Sequence, residues 1–92
     1  MKTFIVTIDG VFGVECARRL ALRRCAWQAP NLHMEFKRFT RDVVNHEEFV
    51  EKIDVFVREK GLRIIAEKPV VKIRDDRYAV NVQYTIGWSD DN

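Results

Sequence analysis

The sequence predicts an α/β (α+β) two-layer sandwich in which two helices cover one face of a mixed sheet, in the order β-α-β-α-β-β-β. Three observations carry this expectation. Segments with apolar residues at every second position alternate along the chain with segments where they recur every three or four. The stretch 45–61 carries complete start and stop signals for a helix. With 92 residues, the chain has room for one core and one domain, 1–92, with 89–92 as a flexible tail.

The first element is "KTFIVTI" (2–8), with Phe4, Val6 and Ile8 on one side and Thr3, Ile5 and Thr7 on the other. That alternation is the pattern of a half-buried strand. "DGVFG" (9–13) is the turn after it, and 14–28 carries helical spacing until Pro30 forces the preceding residue out of helical geometry. "LHMEFKRF" (32–39) alternates again, Leu32, Met34 and Phe36 opposing His33, Glu35, Lys37 and Phe39, and is expected as a second strand. In 45–61, Asn45 is the N-cap, Glu48 its capping-box partner and Gly61 the C-terminal stop, with Phe49, Val50, Ile53, Phe56 and Val57 as the buried stripe.

Three strands follow: 62–67, a break at Lys68 and Pro69, 70–74, a turn at Asp75 and Asp76, and 77–88. Pairing Arg74 with Arg77 sets Val71 opposite Val80, so one apolar face continues through Val82, Tyr84, Ile86 and Trp88. An alternative splits 32–44 into a hairpin and resembles a ferredoxin-like order with an added hairpin. It ranks second, because Lys37-Arg38 is poor chemistry for a tight turn.

Hydrophobic residues make up 47% and charged residues 33%, a globular balance that argues against disorder. The net charge of +2 is too small for a dedicated duplex-binding domain, so any nucleic-acid contact must be local. The N-terminal apolar run is too short for a signal peptide or membrane span, which sets the expectation of a soluble, cytoplasmic protein. Cys16 and Cys25 lie on one helix, about 13 Å of rise apart, and cannot bridge each other. Both read as small, packed thiols of a reducing compartment.

The most conspicuous motif is "RRLALRRC" (18–25). On a helical wheel Arg18, Arg19 and Arg23 fall outside the apolar arc, whereas Arg24 falls inside it near the helix end, where its stem can lie along the core edge. Residues 14–28 hold four arginines against one glutamate, and 45–60 five acids against three bases, so the cluster's nearest counter-charge lies within the molecule if the helices are neighbours. The primary reading is a solvated helix face. The alternative is a hand for phosphate or an acidic partner.

"DGVFG" is similar in outline to a glycine loop that cradles phosphate, and to the Asp-and-Gly turn after the first strand of small ligand-sensing domains. It lacks the third glycine of a dinucleotide fingerprint and the Gly-Lys-Ser/Thr of a P-loop, so a tight turn is the simpler reading. His33, Glu35 and His46 lack ligand partners at metal spacing, and neither cysteine has a base to activate it, so no metal, cofactor or enzyme activity is expected.

What remains is the second sheet face, expected to carry His33, Glu35, Lys37 and Phe39 and, aligned with them, Lys72, Arg74, Asn81, Gln83 and Thr85, with Phe39, Tyr78, Trp88 and Arg74 as the residue types suited to anchor a partner. The expected function is a small non-enzymatic binding protein, of the accessory or inhibitor kind carried by mobile elements, that docks on another protein or on a second copy of itself. The alternative is an RNA- or DNA-binding module using Arg18, Arg19, Arg23 and Arg24 for phosphates.

Overall fold

The computed structural model describes residues 1–10, 12–71 and 78–89. Its elements run β1 (Lys2–Ile8), β2 (Phe12–Gly13), α1 (Val14–Gln28), α2 (Pro30–Phe39), α3 (His46–Lys60), β3 (Arg63–Val71) and β4 (Tyr78–Trp88). The result is a mixed α+β domain with three helices and an antiparallel sheet, rather than two helices on a mixed sheet.

β4 is the central strand. β1 lies antiparallel along one side, from Lys2 opposite Trp88 to Ile8 opposite Val82. β2 rejoins that side at Ala79 and Tyr78 after the register slips by one residue. The strand pairing is interrupted at Asp9 and Gly10, where Gly10 has a φ of 128°, and Asn81 of β4 takes a φ of 55°, which asparagine tolerates better than most residues. β3 lies antiparallel along the other side of β4, and Val71 meets Val80 in the register expected from the sequence. The turn at Asp75 and Asp76, the Arg74–Arg77 pair and residues 90–92 of the tail lie outside the described residues.

Two segments depart from the sequence reading. Residues 32–39 are not a strand; they belong to α2. The alternation of Leu32, Met34 and Phe36 coexists with helical spacing at Leu32, Phe36 and Phe39, and Pro30 starts this helix at N1, where its missing N–H costs nothing. Leu32 and Phe36 are buried, whereas Met34 is 63% exposed, so the helical period decides which side chains go inside. The break at Lys68 and Pro69 is also absent, because β3 runs through it. Pro69 is tolerated there since β3 is an edge strand and needs no ladder donor on its open side.

α3 forms as its signals require: the Asn45 side chain accepts from the Glu48 N–H at 2.8 Å, and Gly61 adopts φ 69° as the left-handed stop. The core lies between the helices and one sheet face. From the sheet come Val6, Ile8, Val82, Tyr84, Ile86 and Trp88; from the helices come Leu32, Phe36, Ile53 and Phe56. Phe36 binds the two later helices together, its ring edge-on to Phe49 at 6.0 Å and to Phe56 at 5.4 Å. The fully buried residues of α1 are all small, Ala17, Ala21, Cys25 and Ala26, each at most 1% exposed, with Leu20 and Leu22 half-buried beside them, and this smooth seam lets the helix settle close over β1 and β4. The backbone is 17 Å thick along its shortest axis, the depth of one helix layer on one sheet.

Candidate docking surface

α1 hangs above the sheet on struts made from its own arginines. Arg18 reaches β3, where its Nε and Nη2 donate to the Glu67 carboxylate at 2.9 and 2.8 Å, while Nη1 holds Glu15 at 2.9 Å. Arg23 reaches α3, its Nε and Nη2 forming a fork on Asp54 at 2.9 and 3.0 Å. Arg24 donates to the Thr7 carbonyl of β1 at 3.2 Å rather than to the end of its own helix. These pairings hold the Asp54 and Glu67 carboxyls below their ordinary range, chiefly through the guanidinium hydrogen bonds. Among the four, Arg19 alone stands fully exposed on the helix surface. The counter-charge that the sequence placed on α3 is Asp54, whereas Glu67 on β3 carried no signal of its role.

Glu67 also faces the hydroxyl of Tyr84. That hydroxyl is buried, has no hydrogen-bond partner of ordinary geometry among the described residues, and is pushed up to about 12 by burial and by the Glu67 charge. The effect is to keep the phenol neutral beneath the Arg18–Glu67 pair. Cys25 is also buried, and its thiol is pushed up to about 11 by desolvation. Cys16, expected to be packed, is exposed.

The sheet face opposite the helices is bare among the described residues, though its composition is not the one expected. His33, Glu35, Lys37 and Phe39 are on α2 and take no part in it: His33 lies 3.1 Å from the Trp27 carbonyl, Glu35 pairs with Lys60, and Phe39 packs at 5.5 Å against Phe56. Trp88 points inward and is only 3% exposed. Lys72 and Arg74 lie outside the described residues.

What does line the face follows from the pairing. Thr3, Ile5 and Thr7 of β1 project away from the core, since Val6 and Ile8 project into it. Beside them on β4 stand Gly87, Thr85 and Gln83, and beyond those Ala66 and Lys68 of β3. The bulge between Ile64 and Ala66 swings Ile65 across Gly87, where any Cβ would collide with the isoleucine. Ile5 is 56% exposed and Ile65 48%. Among the described residues the charges next to this face lie at its margins: Arg63 and Lys68 on β3, and Asp9 just past the end of β1. The alternation of threonine with Ile5 in 2–8 is the sequence signal for it.

Among the described residues, a depression of about 410 Å³ lies on the helix side between α1 and β3, lined by Glu15, Arg18, Arg19, Arg63 and the apolar Leu22, Leu62 and Ile64. Among the described residues no three potential metal ligands gather, and no helix is long and apolar enough to cross a membrane. No protein-family model, curated protein or solved structure matches the chain.

Proposed function

We propose that the chain is a non-enzymatic binding domain that docks on another protein through the bare face of its sheet and the adjoining β1 edge. The observation that carries this reading is the segregation of charge: the helix layer is studded with ions, whereas the opposite face, among the described residues, presents threonines and two exposed isoleucines, with its cations at the β3 margin. An open face of this kind, depleted in charge, has the composition of the buried part of an interface. The phosphate-binding alternative draws less support, since Arg18, Arg23 and Arg24 already spend donors inside the fold.

A photo-reactive residue introduced in cells at Ile5, with Met34 on α2 as the comparison site, tests the reading. Both side chains are exposed, so solvent access does not separate them. Docking through the sheet yields a discrete protein adduct from position 5 and none from position 34; adducts from position 34 alone, or from neither, reject it.

A further inference from the structure

The two edges of the sheet are built differently. β3 carries the devices that stop an edge from recruiting another strand: Pro69 lacks a donor, the bulge at Ile65 breaks the ladder, and Arg63, Glu67 and Lys68 bring charge. β1 has none of these across residues 3–8, and β4 is its only strand neighbour among the described residues. Arg24 covers one point of this edge, the Thr7 carbonyl, with a single 3.2 Å hydrogen bond. Phe4 beside it is half-buried, and so is Leu20, one turn before Arg24 on the same stripe of α1.

We infer that β1 pairs with β1 of a second copy of this chain, antiparallel about a two-fold axis normal to the sheet, so that two three-stranded sheets join into one of six. This rests on the docking reading above and names the partner. Side chains alternate between faces, so self-pairing must keep like faces together. Centring the axis on Ile5 does so: Ile5 meets Ile5, Thr3 meets Thr7 and Phe4 meets Val6, with no charge set against a like charge. The helix layers also fit. α1 lies over β1 and β4, and strands are about 4.8 Å apart, so the joined sheet sets the two α1 helices about 10 Å apart, an ordinary packing distance. Leu20 then gains cover from its counterpart helix.

Area decides between this arrangement and two bare faces stacked together. The three-stranded face spans on the order of 300 Å² as a flat patch, well under the roughly 800 Å² per partner of a stable complex. The edge joins backbone ladder and both layers at once, with a cross-section somewhat larger but still below that standard. The dimer is therefore weak, half-formed at roughly 10–500 µM.

Sedimentation velocity on the intact chain from about 5 µM to about 1 mM tests the inference, with Ile5→Lys and Ile65→Lys compared after circular dichroism shows both folded. The 10.9 kDa monomer is expected to give way to a species of twice that mass. Ile5→Lys, which opposes two cations at the axis, weakens association by at least about tenfold, while Ile65→Lys, on the same face but at the other edge, changes it less than about twofold. A monomer at every concentration, or equal loss from both variants, overturns the inference. If the chain stays monomeric while position 5 still captures a different protein in cells, the second copy fails as partner and the docking reading stands.

Discussion

Removing the Arg23–Asp54 fork tests whether the arginine-rich helix is held by its charges or merely decorated with them. Both guanidinium contacts have good length, at 2.9 and 3.0 Å, but Arg23 is 23% exposed and Asp54 42%, so water screens the pair. Exposed ion pairs couple by about 0.2–1 kcal/mol, and forked geometry places this one near the top, at about 1 kcal/mol. Arg23→Ala should cost somewhat more than that coupling, because its stem also covers the α1–α3 seam. The assay is urea unfolding of the wild type, Arg23→Ala, Asp54→Ala and the double variant, with the coupling taken from the cycle. The coupling should shrink in about 1 M salt, where the screening length falls to about 3 Å. A coupling under about 0.3 kcal/mol would refute the strut reading and return Arg23 to the pool of side chains free for a ligand.

Other consequences follow from the core and its ionisable groups. Ala21→Leu forces a large side chain into the seam beneath α1, where Ala21 is 0% exposed, and should lower stability by about 1–3 kcal/mol in the same urea assay. A thiol reagent should titrate one cysteine of the folded chain quickly, the exposed Cys16, and reach the buried Cys25 only as the protein opens; equal rates would contradict the packing of α1. Asp54 and Glu67 are held below their ordinary values of 3.8 and 4.5, so their stabilisation is complete above about pH 5 and is lost as pH falls through and below those values. Cys25 and Tyr84 are raised from 9.0 and 10.0 to about 11 and about 12, so their neutral forms favour the fold below pH 9 and stability declines as pH rises toward 12. Thermal melts across pH 3–11 check both limbs; a profile flat at both ends would refute the assignment.

Much of the architecture was legible where one signal had one meaning. α3 announced itself through Asn45, Glu48 and Gly61, and the inward face of β4 through Val82, Tyr84, Ile86 and Trp88. α2 was not legible, because Leu32, Met34 and Phe36 satisfy a two-residue period as well as a helical one, and only packing against Phe49 and Phe56 resolves the tie in favour of the helix. Pro69 misled for a related reason: a proline interrupts a central strand but not the open side of an edge, and edge or centre is a property of the sheet. The candidate surface suffered most. Its residues come from β1, β3 and β4, which only the pairing register brings together, whereas the sequence placed it partly on a segment that folds into the helix layer.

Hydrogen–deuterium exchange on the chain alone at low concentration and in its associated state measures most directly which side of the molecule does the binding. Docking through β1 predicts that the amides of residues 2–8 pointing away from β4 gain protection of about tenfold or more on association, while those of α2 and α3, away from that edge, remain unchanged. Protection gained on the helix layer, with β1 exchanging as fast as before, would contradict it.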